Sequence, residues 1–249
     1  MAASPGLDPA RGAARDRVAD VAVAMVEDGM TIGLGTGDSA RRFVAALAAR
    51  VRAERLRVDG VVTSLATGEQ ARAAGLTVRA LPDVARVHLA FDGADEVDPA
   101  LCLLKGGGGA QTRERIVAAS ADRFVVLVDE GKLVPLLGAA FPVAVELVPE
   151  AFRLVTRRLE ALGAAPITAY RPAPDGAGPF VTDLGHRVVD ARFPGIPDPA
   201  ALSAALDAIP GVVGHGVFVG LASLVLVGAA ATSEVHRLVP NPPVSGGMP

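Results

Sequence analysis

Through Asp129 the chain alternates short apolar runs with helical periods, and this alternation constrains its fold more than any other feature. Val18, Val21, Ala22, Met25 and Val26 recur at i, i+3, i+4, i+7 and i+8, one face of a helix ending near Asp28 and Gly29. The run MTIGLG then reads as a strand, DSARRFVAALAARVRAERL as a helix, RVDGVVT as a strand, and SLATGEQARAAGL as a helix stopped by Gly75. TVRAL and RVHLAF are strand-like, TRERIVAASA is helical, and RFVVLVD is strand-like again. Short apolar strands joined by helices predict an α/β fold: a Rossmann-like, mainly parallel sheet with helices on both faces.

The rhythm changes after FPVAVELV. A helix PEAFRLVTRRLEALG leads to PITAYRP, a turn at PDGAGP, the strands FVTDLG and HRVVDARF, a helix DPAALSAALDAI and the strand GVVGHGVF. This βαββαβ order is that of a smaller ferredoxin-like α+β domain. LASLVLVGA then reads as a strand returning to the first layer. The expected organisation is a Rossmann-like domain over residues 15–140 with 219–236, a smaller α+β domain over 141–218, and disordered tails at 1–14 and 237–249.

Composition narrows the function classes. With 51% hydrophobic and 20% charged residues, the chain has the makings of a large core. Its net charge of -3 contains no block of like charges, which argues against a nucleic-acid groove or an anionic lipid surface and leaves a small neutral or anionic metabolite. The single cysteine, Cys102, rules out an internal disulfide framework and fits a reducing cytoplasm. The opening MAASPGLDPARGAARDR lacks an apolar signal-peptide core, and Asp8 and Asp16 argue against a transit peptide. The longest apolar run, GVFVGLASLVLVGAAA, is interrupted by glycine and shorter than the roughly 20 residues of a membrane helix.

In open parallel sheets, ligands bind beyond the carboxyl ends of the strands. Four stretches fall there: GLGTGDSA, TSLATGEQA, DGADE and KGGGGAQTRE. The first combines glycines, the hydroxyls of Thr36 and Ser39 and a helix start, an arrangement suited to an anion and equally to an ordinary turn capped by Asp38 or Ser39. It matches neither a dinucleotide fingerprint nor a P-loop. The run Gly106-Gly107-Gly108-Gly109 permits close backbone approach to a ligand, Lys105 precedes it, and Glu114 falls in or near the first helical turn after it. DGADEVD holds four acids, Asp92, Asp95, Glu96 and Asp98, without the spacing of a calcium loop, and the four histidines are scattered without metal-ligand spacing.

Together these stretches, with GKLV, PVAVELVP, VTDLGHRVVDARF and IPGVVGHGVF, resemble the ribose-5-phosphate isomerase A family from about Arg15 to Ala230. The resemblance implies interconversion of D-ribose 5-phosphate and D-ribulose 5-phosphate without metal or organic cofactor. It implies Glu114 as the general base, and Asp92, Asp95 and Lys105 as groups for ring opening and for hydroxyl or oxyanion contacts. Gly93 and Ala94 fall within the same matched block, and Gly106, Gly107 and Gly108 form the backbone cradle. Thr36, Gly37, Asp38, Ser39 and Lys132 match positions that contact substrate, largely at its phosphate, and Arg15 matches an N-terminal cationic contact loosely. A homodimer or homotetramer is implied as well. Asp38 departs from the family pattern by placing a carboxylate where a dianion is expected: either it points away and caps its helix, or it weakens phosphate binding, or the preferred substrate differs. Leu184 and His186 also depart, in a segment expected to have little catalytic consequence. A non-catalytic sugar-phosphate sensor, an isomerase of another phosphosugar and a nucleotide-dependent oxidoreductase are the competing readings.

Overall fold

The computed structural model describes residues 9–240. In chain order, helix α1 (Pro9–Val23) leads into β1 (Thr31–Leu34), α2 (Asp38–Glu54), β2 (Asp59–Val62), α3 (Leu65–Ala73), β3 (Thr77–Arg79) and β4 (Val87–Asp92). Two short strands, β5 (Glu96–Val97) and β6 (Leu103–Leu104), precede α4 (Gln111–Ser120) and β7 (Ala121–Asp129). There follow β8 (Val143–Leu147), α5 (Phe152–Ala161), β9 (Arg187–Ala191), α6 (Pro199–Asp207), β10 (Val212–His215), β11 (Val217–Phe218), β12 (Ala222–Gly228) and β13 (Val235–Leu238).

The main sheet has the order β13-β12-β7-β4-β1-β2-β3, parallel throughout except for β13 at one edge. Period-two alternation along the strands sorts side chains to its two faces. Leu89 and Phe91 of β4, with Val125 and Leu127 of β7, pack against α1 and α2. Their neighbours Ala90, Val126 and Val128 pack on the opposite face against Val117 and Ala118 of α4. Asp92 ends β4 with the parity of Ala90, so the strand delivers its carboxylate to the side carrying α4. Phe43 of α2 stacks on Phe91 with ring centroids 4.2 Å apart, both fully buried. Each such ring stabilises by about 1.5–3 kcal/mol, enough to lock α2 to the strand that ends in Asp92.

The smaller sheet has the order β10-β8-β9, antiparallel, with α5 and α6 contributing Val155, Leu159 and Leu206 to its own core. The expected strand FVTDLG forms no ladder: Val181 makes only an isolated bridge to Arg187, and Thr182 N–H donates to His186 O at 3.0 Å. The PITAYRP segment lies beside β9, where Arg171 N–H donates to Val188 O at 2.7 Å, and the remainder is held through isolated bridges. Pro166, Pro172, Pro174 and Pro179 remove the donors that a regular ladder would need. The expected strand GVVGHGVF is split at Gly216: β10 joins the smaller sheet, and β11 joins a third sheet with β6 and β5. A side chain at Gly216 would fall 2.0 Å from Lys105 O, so glycine lets the two backbones meet.

The ends also depart from expectation. Residues 9–14, expected to be disordered, are helical, and Arg237 and Leu238, expected in the tail, pair with β12. The rest of both expected tails, 1–8 and 241–249, lies outside the described residues.

Candidate active site

The chain leaves β1 through α2 toward β2 and leaves its neighbour β4 through α4 toward β7, so the two connections diverge and open a crevice at the carboxyl ends of β1 and β4. Two glycines shape that crevice. A Cβ on Gly35 would lie 2.2 Å from the Asp92 carboxyl carbon, so the absence of a side chain there makes room for Asp92. Gly37 precedes α2 at φ 105°, a left-handed conformation that L side chains rarely adopt. Asp92 Oδ1 accepts N–H bonds from Thr36 at 3.1 Å and Gly93 at 2.8 Å, joining the two loops. The TSLATGEQA stretch supports this junction from behind: Thr36 Oγ1 lies 2.7 Å from Thr63 Oγ1 and 2.8 Å from Ser64 Oγ.

At the inner end of the crevice three charged groups are buried together. Lys105 Nζ lies 3.0 Å from Asp92 Oδ2 and 3.2 Å from Glu114 Oε2, and donates to Gly93 O at 2.6 Å. Glu114 is held on the first turn of α4. Burial pushes its carboxyl up to about 8, the Asp92 charge pushes the same way, and Lys105 opposes both. Asp92 is also raised, by burial against the pull of Lys105. Burial works against the Lys105 ammonium, but the two carboxylates outweigh it and raise its pKa. A carboxylate of this kind, beside a fixed cation and shielded from water, is equipped to exchange protons near neutrality.

The wall is formed by Gly93, Ala94, Asp95 and the glycine loop. Asp95 Oδ2 accepts the Gly107 N–H at 2.9 Å, which holds the loop against the acid. At the outer end the N-terminus of α2 faces the cavity without a side-chain cap, leaving backbone N–H groups and the positive dipole end for an anion. Arg15 and Lys132 line the same end. Arg15 is set by Asp129, fully buried at the end of β7, which accepts its Nε at 2.8 Å and its Nη2 at 2.6 Å.

Asp38 does not cap α2. Its carboxylate is surrounded by Arg15 at 3.0 Å, Arg42 at 2.9 Å and Arg41. Partial burial opposes ionisation, but these three guanidinium groups prevail and lower its pKa to about 2. Asp38 is therefore an anion with its charge compensated, and Asp38→Ser will leave the arginines in excess at the anion end. The Michaelis constant is expected to fall about fivefold at low salt, equivalent to about 1 kcal/mol of Coulomb attraction, with little change in kcat. Steady-state kinetics at two ionic strengths will check this, since screening will shrink the gain.

A family model described as Ribose 5-phosphate isomerase A (phosphoriboisomerase A) matches residues 59–232. The chain belongs to the ribose 5-phosphate isomerase A family. It is 50% identical over 224 residues to the ribose-5-phosphate isomerase A of Roseiflexus sp. (strain RS-1), covering 89% of this chain and 95% of that protein. Among solved structures it resembles ribose 5-phosphate isomerase A of Methanocaldococcus jannaschii with a TM-score of 0.86 at 41% identity, covering 91% of this chain and 98% of that one. It also resembles a D-ribose-5-phosphate isomerase in complex with phospho-erythronic acid, with a TM-score of 0.87 at 36% identity, covering 91% and 97% of the two chains.

The residues matched to this isomerase family converge on one cavity: Thr36, Gly37, Asp38, Ser39, Gly93, Ala94, Asp95, Lys105, Gly106, Gly107, Gly108, Glu114 and Lys132 all line it. Asp92 differs from the expected substrate contact. It is buried outside the cavity lining, its oxygens directed to Lys105 and to two N–H groups. The acidic motif divides further: Glu96 accepts the N–H groups of Gly138, Ala140 and Phe141, and Asp98 accepts that of Cys102. These two acids anchor turns. His186, in the segment expected to have little consequence, lies 3.1 Å from the buried Glu146, which also accepts the hydroxyls of Thr182 and of Thr112 at the start of α4. That segment therefore reaches the helix carrying Glu114. Sequence reasoning missed Asp129, Arg41, Arg42 and Arg171; the i+3 and i+4 spacing from Asp38 to Arg41 and Arg42 was a usable signal.

Proposed function

We propose that this chain interconverts D-ribose 5-phosphate and D-ribulose 5-phosphate, with Glu114 as the base. One observation carries the reading: a buried carboxylate beside the Lys105 ammonium and an uncapped helix N-terminus line the same cavity. The second site takes the phosphate, aided by Lys132 and Arg15, and the first takes the aldehyde end. Glu114 removes the C2 proton. The C2–H electrons form the C1–C2 double bond, and the carbonyl electrons move to O1, where Lys105 and glycine-loop N–H groups balance the charge. The O2 proton then passes to O1, the O2–H electrons form the C2 carbonyl, and the C1–C2 double-bond electrons take the proton back from Glu114 at C1, which gives the ketose. Asp95 is placed to exchange the hydroxyl proton needed for ring opening, while Asp92 holds Lys105 in register. Phospho-erythronic acid in the similar isomerase supports this assignment, since it carries a phosphate at one end and a planar two-oxygen group at the other.

Turnover of ribose 5-phosphate to the ketose in EDTA tests the reading, and absence of turnover in folded protein would favour the sensor. The pH profile adds a sign. Glu114 acts as base only when deprotonated, so kcat/KM will rise with pH through an apparent value near 8, shared with the coupled Asp92. A profile flat from pH 6 to 9 would remove Glu114 from this role.

We further propose a homodimer or homotetramer, supported by the exposed apolar side chains of Leu133, Leu136 and Phe141, and light scattering tests it. A cytoplasmic location is supported by the buried free thiol of Cys102. No described helix is long and apolar enough to cross a membrane.

A further inference from the structure

The glycine loop is gripped from outside the cavity. Arg171 Nη1 donates to Gly106 O at 2.8 Å and more weakly to Gly107 O at 3.4 Å. Its remaining fork, Nε and Nη2, is engaged by both carboxylate oxygens of Asp190 on β9. Phe180, whose N–H donates to Arg171 O at 2.8 Å, lies against the same loop: a Cβ on Gly109 would fall 2.3 Å from its ring. One edge segment of the smaller sheet thus holds the loop at Gly106, Gly107 and Gly109.

The peptide unit between Gly106 and Gly107 gives this grip a chemical meaning. In a trans peptide the carbonyl and the N–H point in opposite directions. Here the carbonyl accepts from Arg171, and the N–H of Gly107 donates to Asp95 Oδ2 at 2.9 Å on the cavity side. The guanidinium and the carboxylate therefore fix one peptide plane from its two sides, and a charge-assisted bond to the carbonyl polarises the N–H facing Asp95. The weaker contact to Gly107 O acts in the same sense on the next unit, whose N–H belongs to Gly108 in the cavity wall.

We propose that Arg171 is a positioning residue for the reaction: clamped by Asp190, it sets the peptide planes of the glycine loop and, through the Gly107 N–H, the orientation of Asp95. This rests on the reading of the loop and Asp95 as the reacting end of the site. The anion end is built from other residues, so the two ends should separate in kinetics.

Arg171→Met is expected to lower kcat about ten- to a hundredfold, the scale of a small misplacement of reacting groups. Its inhibition by inorganic phosphate should stay within about twofold of wild type, because that probe reads the anion end alone. Arg171→Lys, which reaches a carbonyl without the fork to Asp190, should recover part of the loss. Asp190→Asn keeps the guanidinium but loosens it, and should fall between wild type and Arg171→Met. If Arg171→Met does not fold, the other two variants decide, and wild-type kcat in both would overturn the proposal. Wild-type kcat in folded Arg171→Met, or equal losses of kcat and phosphate affinity, would overturn it as well. Glu114→Gln run in parallel separates the layers: if it stays active, the reading of the site fails; if it is inactive while Arg171→Met is unimpaired, only the positioning role fails.

Discussion

Glu114→Gln will convert ribose 5-phosphate about a hundred- to ten-thousandfold more slowly than the wild-type chain, the range a positioned base contributes. The substitution is close to isosteric, so the cavity keeps its shape and phospho-erythronic acid should still bind. Lys105 loses one carboxylate but keeps Asp92 at 3.0 Å and Gly93 O at 2.6 Å, so the ammonium stays in place. The step in the pH profile near 8 should be lost or displaced in the residual activity, because Glu114 is gone and only its coupled partner Asp92 is left to titrate. The measurement is ketose formation in EDTA, with ligand binding by calorimetry on the same preparation. Near wild-type turnover would transfer the proton step to another group, with Asp95 the first to test.

Lys105→Met is expected to be costly in stability as well as in rate. Removing the cation leaves Asp92 and Glu114 buried with no opposite charge between them, and breaking such a set typically costs about 3–5 kcal/mol. The sign with pH follows from the raised carboxyl values of both acids. Groups whose folded pKa lies above the unfolded value stabilise fully below the unfolded value and lose that contribution as pH rises through the folded one. In the variant both acids are raised further, so the deficit should be smallest near pH 3, below the unfolded values of both acids, and largest at pH 9. Urea titrations of both proteins at the two pH values will measure this. A deficit independent of pH would mean that lost packing, not the uncompensated charges, dominates.

The parallel sheet was legible because Val87–Asp92 and Ala121–Asp129 announce buried strands by apolar runs bounded by helical periods. The inner half of the site was legible for a related reason: Asp92, Lys105 and Glu114 follow strand ends or open a helix, positions whose direction local structure largely decides. What escaped depends on tertiary geometry. The first turns of α1 are built from alanine, glycine and arginine, and such a sequence carries a weak apolar stripe, so periodicity points to a disordered tail where the helix from Pro9 begins. The compensation of Asp38 is hidden in part because Arg15 reaches it from another helix, across a gap invisible in sequence. Arg171 belongs to a proline-rich stretch whose backbone forms no regular ladder, so no periodicity marked the residue that holds the glycine loop.

Helix α1 packs on β7 and β12, and its fit is close: a Cβ on Gly228 would fall 2.5 Å from Ala14 O. The surface that receives α1 is therefore made in part by β12, one of the last described strands to be synthesised. On a ribosome, α1 meets α2 and β7 before β12 exists, and only the patch where Ala14 and Val18 face Gly228 stays uncovered until Ala222–Gly228 has emerged. Arg15 and Asp129 both precede β12, so a nascent chain ending before it already holds every residue that lines the cavity and lacks only the strand that flanks β7. The residues of the site are thus all synthesised before the strand that buttresses their sheet beside β7.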